Sequence, residues 1–266
     1  MVIIPAGGTR RHLGKVILMD EQRVALVTGA NQGIGLQIAK ELVAKGLTVL
    51  VGARDLVKGE AAAREIGDRA HAIQLDVTDA ASIQAAAERI RREFGRLDVL
   101  MNNAGISRAA SNQSFDKAVN TNLLTTAPLE NVRKVFETNV FGVIAVTQAM
   151  LPLLSEAPAG RIVITGSSGA SLTLNSDESN AHRRMFGNYS VSKAAVHAVM
   201  LSFALALEHT RIKVNAACPG FTSTALNNFN GTRSVEEGAR EPVRLALIGD
   251  DGPNGTFSDE NGIVPW

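Results

Sequence analysis

From Arg23 to about Ile248, short apolar runs rich in β-branched residues alternate with longer stretches of helical spacing. That alternation builds βαβ units around a parallel sheet. The first strand reads Val24-Ala25-Leu26-Val27-Thr28, and Ile34 to Lys45 then has helical spacing. Further strands are predicted over Leu47–Val51, Ala70–Leu75, Leu97–Met101, Arg161–Thr165 and Ile212–Ala216. Helices are predicted over Val57–Ile66, Ala80–Phe94, Leu129–Leu154, Tyr189–Glu208 and Val235–Ile248. The expected fold class is α/β: a doubly wound parallel sheet, Rossmann-like. Ser107 to Thr126 is polar without clear periodicity and reads as a long loop or insertion.

One such sheet with its helices absorbs 266 residues, and no internal repeat or Pro/Gly/Ser linker divides the chain. The expectation is therefore one domain over residues 23–266, with residues 1–22 as an N-terminal extension. That extension reads as an added edge segment, a tail, or upstream sequence ahead of a start at Met19. Its apolar stretches, Val2–Ala6 and Val16–Met19, are too short for a signal-peptide core or a membrane span. Balanced charge, 27 basic against 26 acidic residues without clustering, argues against a nucleic-acid partner. A single cysteine, Cys218, excludes an intrachain disulfide and leaves no soft-ligand cluster, so no metal is expected and the cytoplasm is the default location.

Between the first strand and its helix lies Thr28-Gly29-Ala30-Asn31-Gln32-Gly33-Ile34-Gly35. Glycines there let the backbone turn sharply and approach a pyrophosphate, with helix N-terminal N–H groups presented to the anion. The spacing, Gly-x-x-x-Gly-x-Gly, differs from the usual dinucleotide fingerprint, and such turns also occur without nucleotides.

Six further features follow in order: Asp76-Val77, Asn102-Asn103-Ala104-Gly105, Asn139, Ser167, Tyr189-x-x-x-Lys193 and Pro219-Gly220. Together with the glycine turn they resemble the short-chain dehydrogenase/reductase family, from about Arg23 to Thr224 and more weakly beyond. The resemblance implies an oxidoreductase transferring hydride between a nicotinamide dinucleotide and a carbonyl or alcohol carbon of a small organic substrate. It implies that Gly29, Asn31, Gln32, Gly33, Ile34 and Gly35 hold the pyrophosphate, that Asp76 and Val77 meet the adenine, and that Asn103, Ala104 and Gly105 line the cleft. Pro219, Gly220 and a following threonine, Thr222 or Thr224, would hold the nicotinamide. Simpler readings stand beside these: Asp76 as a helix-capping residue and Asn103 as a turn stabiliser.

An acidic residue at the end of the second strand would bind both ribose hydroxyls of NAD and repel a 2′-phosphate. That position is Ala53, followed by Arg54, whose planar fork suits a phosphate. Lys58 one turn later adds charge and Asn31 an amide donor, so NADP(H) is expected in preference to NAD(H). Asp55 reads as the N-cap of the following helix, or as the ribose acid if the strand boundary shifts.

Tyr189 and Lys193, four apart on a helix, share a face. Carbonyl reduction needs a proton donor for the developing alkoxide, and a nearby ammonium is expected to lower the phenol's pKa. In the family Lys193 would also bind the nicotinamide ribose, Ser167 would orient the substrate oxygen, and Asn139 would bind a water linking Lys193 to solvent. Ser168 is the neighbouring alternative to Ser167. His71, His197 and His209 lack metal-ligand spacing and read as structural or exposed, and Cys218 reads as a small packed residue.

Two segments look enlarged, Ser107–Thr126 and Ser171–Asn188, and both are expected beside the substrate end of the cleft. An insertion before the tyrosine resembles carbonyl-reductase-like members, as does the ending Gly255–Trp266. Some of those members are monomers, so monomer and homo-oligomer both stay open, and no membrane partner is expected. Two rivals share the fold: a dinucleotide-binding regulator without catalysis, expected to lack one of the four catalytic groups, and an epimerase or dehydratase that recycles its cofactor.

Overall fold

The computed structural model describes residues 23–107 and 123–266. The proposed extension, residues 1–22, and most of the Ser107–Thr126 segment lie outside the described residues. Eight strands form one sheet in the order β3-β2-β1-β4-β5-β6-β7-β8. The first six are β1 (Val24–Thr28), β2 (Thr48–Ala53), β3 (Ala70–Gln74), β4 (Val99–Asn102), β5 (Arg161–Thr165) and β6 (Lys213–Ala217). All pair in parallel, and β7 (Phe257–Asp259) extends the parallel set. The short β8 (Gly262–Ile263) returns antiparallel; the sequence pattern shows neither β7 nor β8.

The helices are α1 (Gly33–Ala44), α2 (Leu56–Ile66), α3 (Ala80–Phe94), α4 (Leu129–Leu154), α5 (Leu172–Ser176), α6 (Asn188–Ala206) and α7 (Val235–Ala246). One apolar cluster joins α3, α4 and α6 to one face of the sheet, centred on residues such as Ile90, Met150, Leu153 and Met200. A second joins α1, α2 and α7 to the other face through Ile38, Leu42 and Leu245. Both faces are thus covered, which explains why the strands read as continuous apolar runs rather than alternating ones. The helices α4 and α6 are long and apolar enough to cross a bilayer by length and composition, and both lay apolar residues on the sheet.

Strand order reverses between β1 and β4, and in an open α/β sheet a ligand crevice forms at the carboxyl ends beside that switch point. Around it the turn after β1, the turn after β4, the middle of α4 and the start of α6 converge.

Candidate active site

The glycine turn is braced from below by Thr28. Its hydroxyl accepts the N–H groups of Asn103 and Ala104, each at 3.0 Å, and donates to the carbonyl of Met101 at 3.3 Å. The Asn103 amide in turn donates to the carbonyls of Thr28 (3.0 Å) and Gly29 (3.3 Å), so Asn103 does stabilise this turn. Gly29 and Gly33 have φ of 64° and 59°, the left-handed region in which glycine carries no Cβ penalty. A Cβ on Gly29 would stand 3.0 Å from the Cα of Ala104, so the two turns meet closely. The N-terminus of α1 has Gln32 at its cap with no side-chain bond and no acid in its first turn, leaving its backbone donors for an external anion. Asn31 and Ile34 are partly exposed in this turn, Gln32 exposed and Gly35 buried.

At the neighbouring strand, the Ala30 N–H donates to the Gly52 carbonyl at 3.0 Å, tying the glycine turn to the end of β2. The strand ends at Ala53, as the sequence reading requires. Arg54 follows, exposed and with no hydrogen bond or ion pair among the described residues. Asp55 is the N-cap of α2, accepting from the Lys58 N–H at 3.2 Å, and its carboxylate sits 3.7 Å from Lys58 Nζ. Asp76 accepts from both the N–H and hydroxyl of Thr78 at the exit of β3, while Asp79 caps α3. Val77 packs against Gly142, where a Cβ would fall 2.9 Å from the Val77 carbonyl oxygen.

Inside α4, Glu137–Phe141 forms a π turn, a feature common at functional sites. It carries Asn139, fully buried. The Asn139 amide exchanges bonds with Ile106, accepting from its N–H at 2.8 Å and donating to its carbonyl at 2.9 Å, and also donates to Ser192 Oγ at 3.0 Å. Ser192 Oγ donates to the carbonyl of Tyr189 at 2.7 Å. One side chain therefore couples the turn after β4 to the first turn of α6. Both amide donors of Asn139 are thus engaged, and Oδ1 keeps one lone pair beyond the Ile106 N–H.

Tyr189 and Lys193 occupy the first turns of α6, with Lys193 Nζ 5.9 Å from the Tyr189 ring centroid. The ammonium, buried, donates to the Thr165 carbonyl at 2.7 Å. Ser167 is the serine whose hydroxyl acts on the tyrosine side chain, favouring its charged form, whereas the Ser168 N–H is taken by Cys218 Sγ at 3.2 Å. Gly105 leaves room for this group: a Cβ there would lie 3.3 Å from Asn139 Oδ1 and 3.6 Å from Lys193 Nζ. The expected lowering of the phenol by Lys193 is not what the structure shows. Burial dominates and pushes Tyr189 well above its ordinary value, Cys218 adds to the rise, and only Ser167 opposes it. Burial likewise pushes Lys193 down to about 8. His197, buried rather than exposed, is pushed down to about 4 by burial and by the Lys193 charge.

Beyond β6, Thr222 is buried and its hydroxyl donates to Pro219 at 3.0 Å, under Gly238 of α7. Thr224 instead reaches the cleft, its methyl 3.4 Å from where a Cβ on Gly33 would lie. Of the two threonines, Thr224 is the one facing the glycine turn. Gly220, at φ 71°, makes the bend that leads into them. Sequence reasoning missed Thr28, Ser192 and the contacts of His197. A hydroxyl closing an apolar strand, and polar residues three and eight positions after Tyr189 in the same helix, were the signals available.

A family model described as short chain dehydrogenase matches residues 23–234. The chain is 33% identical to the (+)-neomenthol dehydrogenase of Arabidopsis thaliana, covering 90% of this chain and 96% of that one. It is 32% identical to short-chain dehydrogenase/reductase 1 of Saponaria officinalis, covering 93% and 97%. Among solved structures, salutaridine reductase from Papaver somniferum superposes with a TM-score of 0.74 at 29% identity, covering 89% of this chain and 99% of that one. The ordered motifs, the sheet and these similarities agree: the chain belongs to the short-chain dehydrogenase/reductase family.

Proposed function

We propose that this protein is an NADP(H)-dependent carbonyl reductase acting on a small organic ketone, aldehyde or the corresponding alcohol. The observation that carries it is Lys193 one turn after Tyr189 on the same helix, its ammonium 5.9 Å from the centroid of the phenol ring and facing Gly105 across the cleft, with Ser167 as the serine that acts on the phenol. The residues present fit a dinucleotide: an uncapped helix N-terminus behind left-handed glycines, and Thr224 over Gly33. Arg54 beside the turn, without a hydrogen bond or ion pair among the described residues, and Asp55 engaged in capping α2, support a 2′-phosphate.

The nicotinamide, when bound, supplies or accepts the hydride. Ser167 donates to the substrate oxygen and orients it, while Tyr189 delivers the proton to the developing alkoxide. A phenol held above its ordinary pKa is protonated at neutral pH, which suits the reductive direction. Lys193, held at the Thr165 carbonyl, would hold the nicotinamide ribose of the bound cofactor, and Asn139 holds α6 and the β4 turn in register so that these groups converge. Ser171 to Asn188 borders the substrate end, anchored where the Thr173 N–H donates to the Trp266 carbonyl at 2.6 Å.

The test is a panel of ketones, aldehydes and quinones with NADPH, followed by absorbance. Steady, stoichiometric NADPH oxidation with alcohol formation is expected. Product isomerisation or dehydration without net NADPH loss would establish the recycling chemistry instead, and no turnover with tight NADPH binding would establish a regulator.

A further inference from the structure

The hydroxyl of Ser167 can act only if the backbone beneath it is fixed, and the sheet does not fix it. β5 pairs with β4 as far as Ile164 opposite Asn102, and with β6 as far as Thr165 opposite Ala217. The Gly166 N–H still reaches the Ala217 carbonyl at 2.8 Å, but beyond that the ladder stops. The Ser167 N–H is received by a side chain instead, Nε2 of His197 at 3.3 Å. His197 follows Lys193 by four residues and Tyr189 by eight, so one face of α6 presents all three toward the end of β5.

The imidazole is held firmly. It is 4% exposed, its ring centroid lies 4.1 Å from that of Phe257 at a 35° tilt, and Trp266 stands edge-on at 6.0 Å. On the other side it meets the strand end directly, since a Cβ on Gly166 would fall 2.7 Å from Nε2. An imidazolium has no acceptor, so the contact requires the neutral ring with its proton on Nδ1. The surroundings fit that state: Lys193 from its own helix carries positive charge, Phe257 and Trp266 are apolar rings, and no carboxylate pairs with His197 among the described residues.

We propose that His197 is a positioning residue for the reaction, accepting the Ser167 N–H through Nε2 and so setting where the Ser167 hydroxyl stands relative to Tyr189. It touches neither substrate nor cofactor; it completes the β5 ladder one residue past its end. This rests on the reading of the site as a carbonyl reductase, but it predicts an imidazole state that does not depend on turnover.

Two substitutions separate accepting a hydrogen bond from filling space. His197→Gln keeps an acceptor and loses the ring, whereas His197→Phe keeps a flat ring against Phe257 and loses the acceptor. With a reducible carbonyl, kcat of the Phe variant is expected to fall about 10- to 100-fold and that of the Gln variant only a few-fold, on the scale of misplacing a catalytic group. KM for NADPH should stay within about twofold in both, since the glycine turn is untouched. Melting temperature should rank in the opposite order, Phe above Gln. A kcat order that follows the melting temperatures would overturn the proposal, leaving His197 a packing residue. Independently, nitrogen-15 NMR of the histidine rings in the wild-type protein at pH 7 should show Nε2 unprotonated and Nδ1 protonated. An Nε2-protonated ring would refute it even if no carbonyl substrate is ever found, whereas failure of the wild type to reduce carbonyls would leave that spectrum unchanged.

Discussion

Lys193 Nζ lies 5.9 Å from the ring centroid of Tyr189 yet spends a hydrogen bond on the Thr165 carbonyl at 2.7 Å. The pair therefore shares a helix face without a direct bond between the two functional atoms. If Tyr189 gives the proton and Lys193 acts partly through it, Tyr189→Phe should leave NADPH binding nearly intact while turnover falls on the order of 10²- to 10⁴-fold. Lys193→Ala should do at least as much damage and also raise KM for NADPH. The double variant should fall short of the product of the singles, because removing the phenol leaves the ammonium less to do. Steady-state kinetics of the three proteins decide it; substantial carbonyl reduction by a well-folded Tyr189→Phe protein would reject the assignment.

Burying Lys193 should cost stability. Its pKa in the fold, about 8, lies below the 10.5 of a free lysine, so the fold disfavours the charged form. The cost is present in full below about pH 8 and fades as pH climbs toward 10.5. Lys193→Met should then be inactive but more stable at pH 7, by about 2–6 °C for a net gain of ~1–2 kcal/mol after losing one hydrogen bond. Thermal melts at pH 7 and pH 10 check it, the advantage shrinking at the higher pH.

His197 sets the opposite edge of the pH range. Its pKa drops from 6.5 to about 4 on folding, so between those values the unfolded chain binds the proton that the fold refuses. Stability should decline as pH falls through that window, with this residue contributing on the order of 2 kcal/mol. The difference in stability between wild type and His197→Gln, from urea unfolding at pH 7 and pH 4.5, should narrow by that amount. A constant difference would show that His197 does not titrate this way.

Arg54→Asp should weaken NADPH far more than NADH, because the change removes a cation beside the glycine turn that has no partner among the described residues, and adds repulsion. Removing a charge-assisted contact costs about 1.5–3 kcal/mol, roughly 10- to 150-fold in affinity. Fluorescence titration with both cofactors measures it, and equal losses would remove Arg54 as the discriminator.

Shortening the segment before the tyrosine should change substrate range and leave cofactor affinity alone. Ser171 is buried and caps α5, and Thr173 is tied to Trp266, so the removable part is the exposed stretch from Asp177 to Met185. A folded deletion variant with an unchanged substrate profile would rule this out.

The elements legible in the sequence are those written in local periodicity. Strands β1 to β6 fall within two residues of their expected bounds, and α3 spans Ala80–Phe94 as read. The glycine turn, Asn103–Gly105 and Tyr189-x-x-x-Lys193 are likewise legible, because each needs only near neighbours to place its backbone. What the tertiary structure decided depends on contacts across the chain. Helix α4 reads as continuous, but contact with Ile106 and Ser192 accompanies a π turn at Asn139. Ser167 and Ser168 are equivalent in composition, and Thr222 and Thr224 nearly so; only the packing of α6 and α7 against the sheet tells them apart. The expected lowering of the Tyr189 pKa followed from spacing alone, whereas its actual rise follows from burial, which no spacing encodes. His197 is the sharpest case: it looks bland in sequence, and acquires a partner only because the backbone bonding of β5 stops at Gly166, one residue before Ser167.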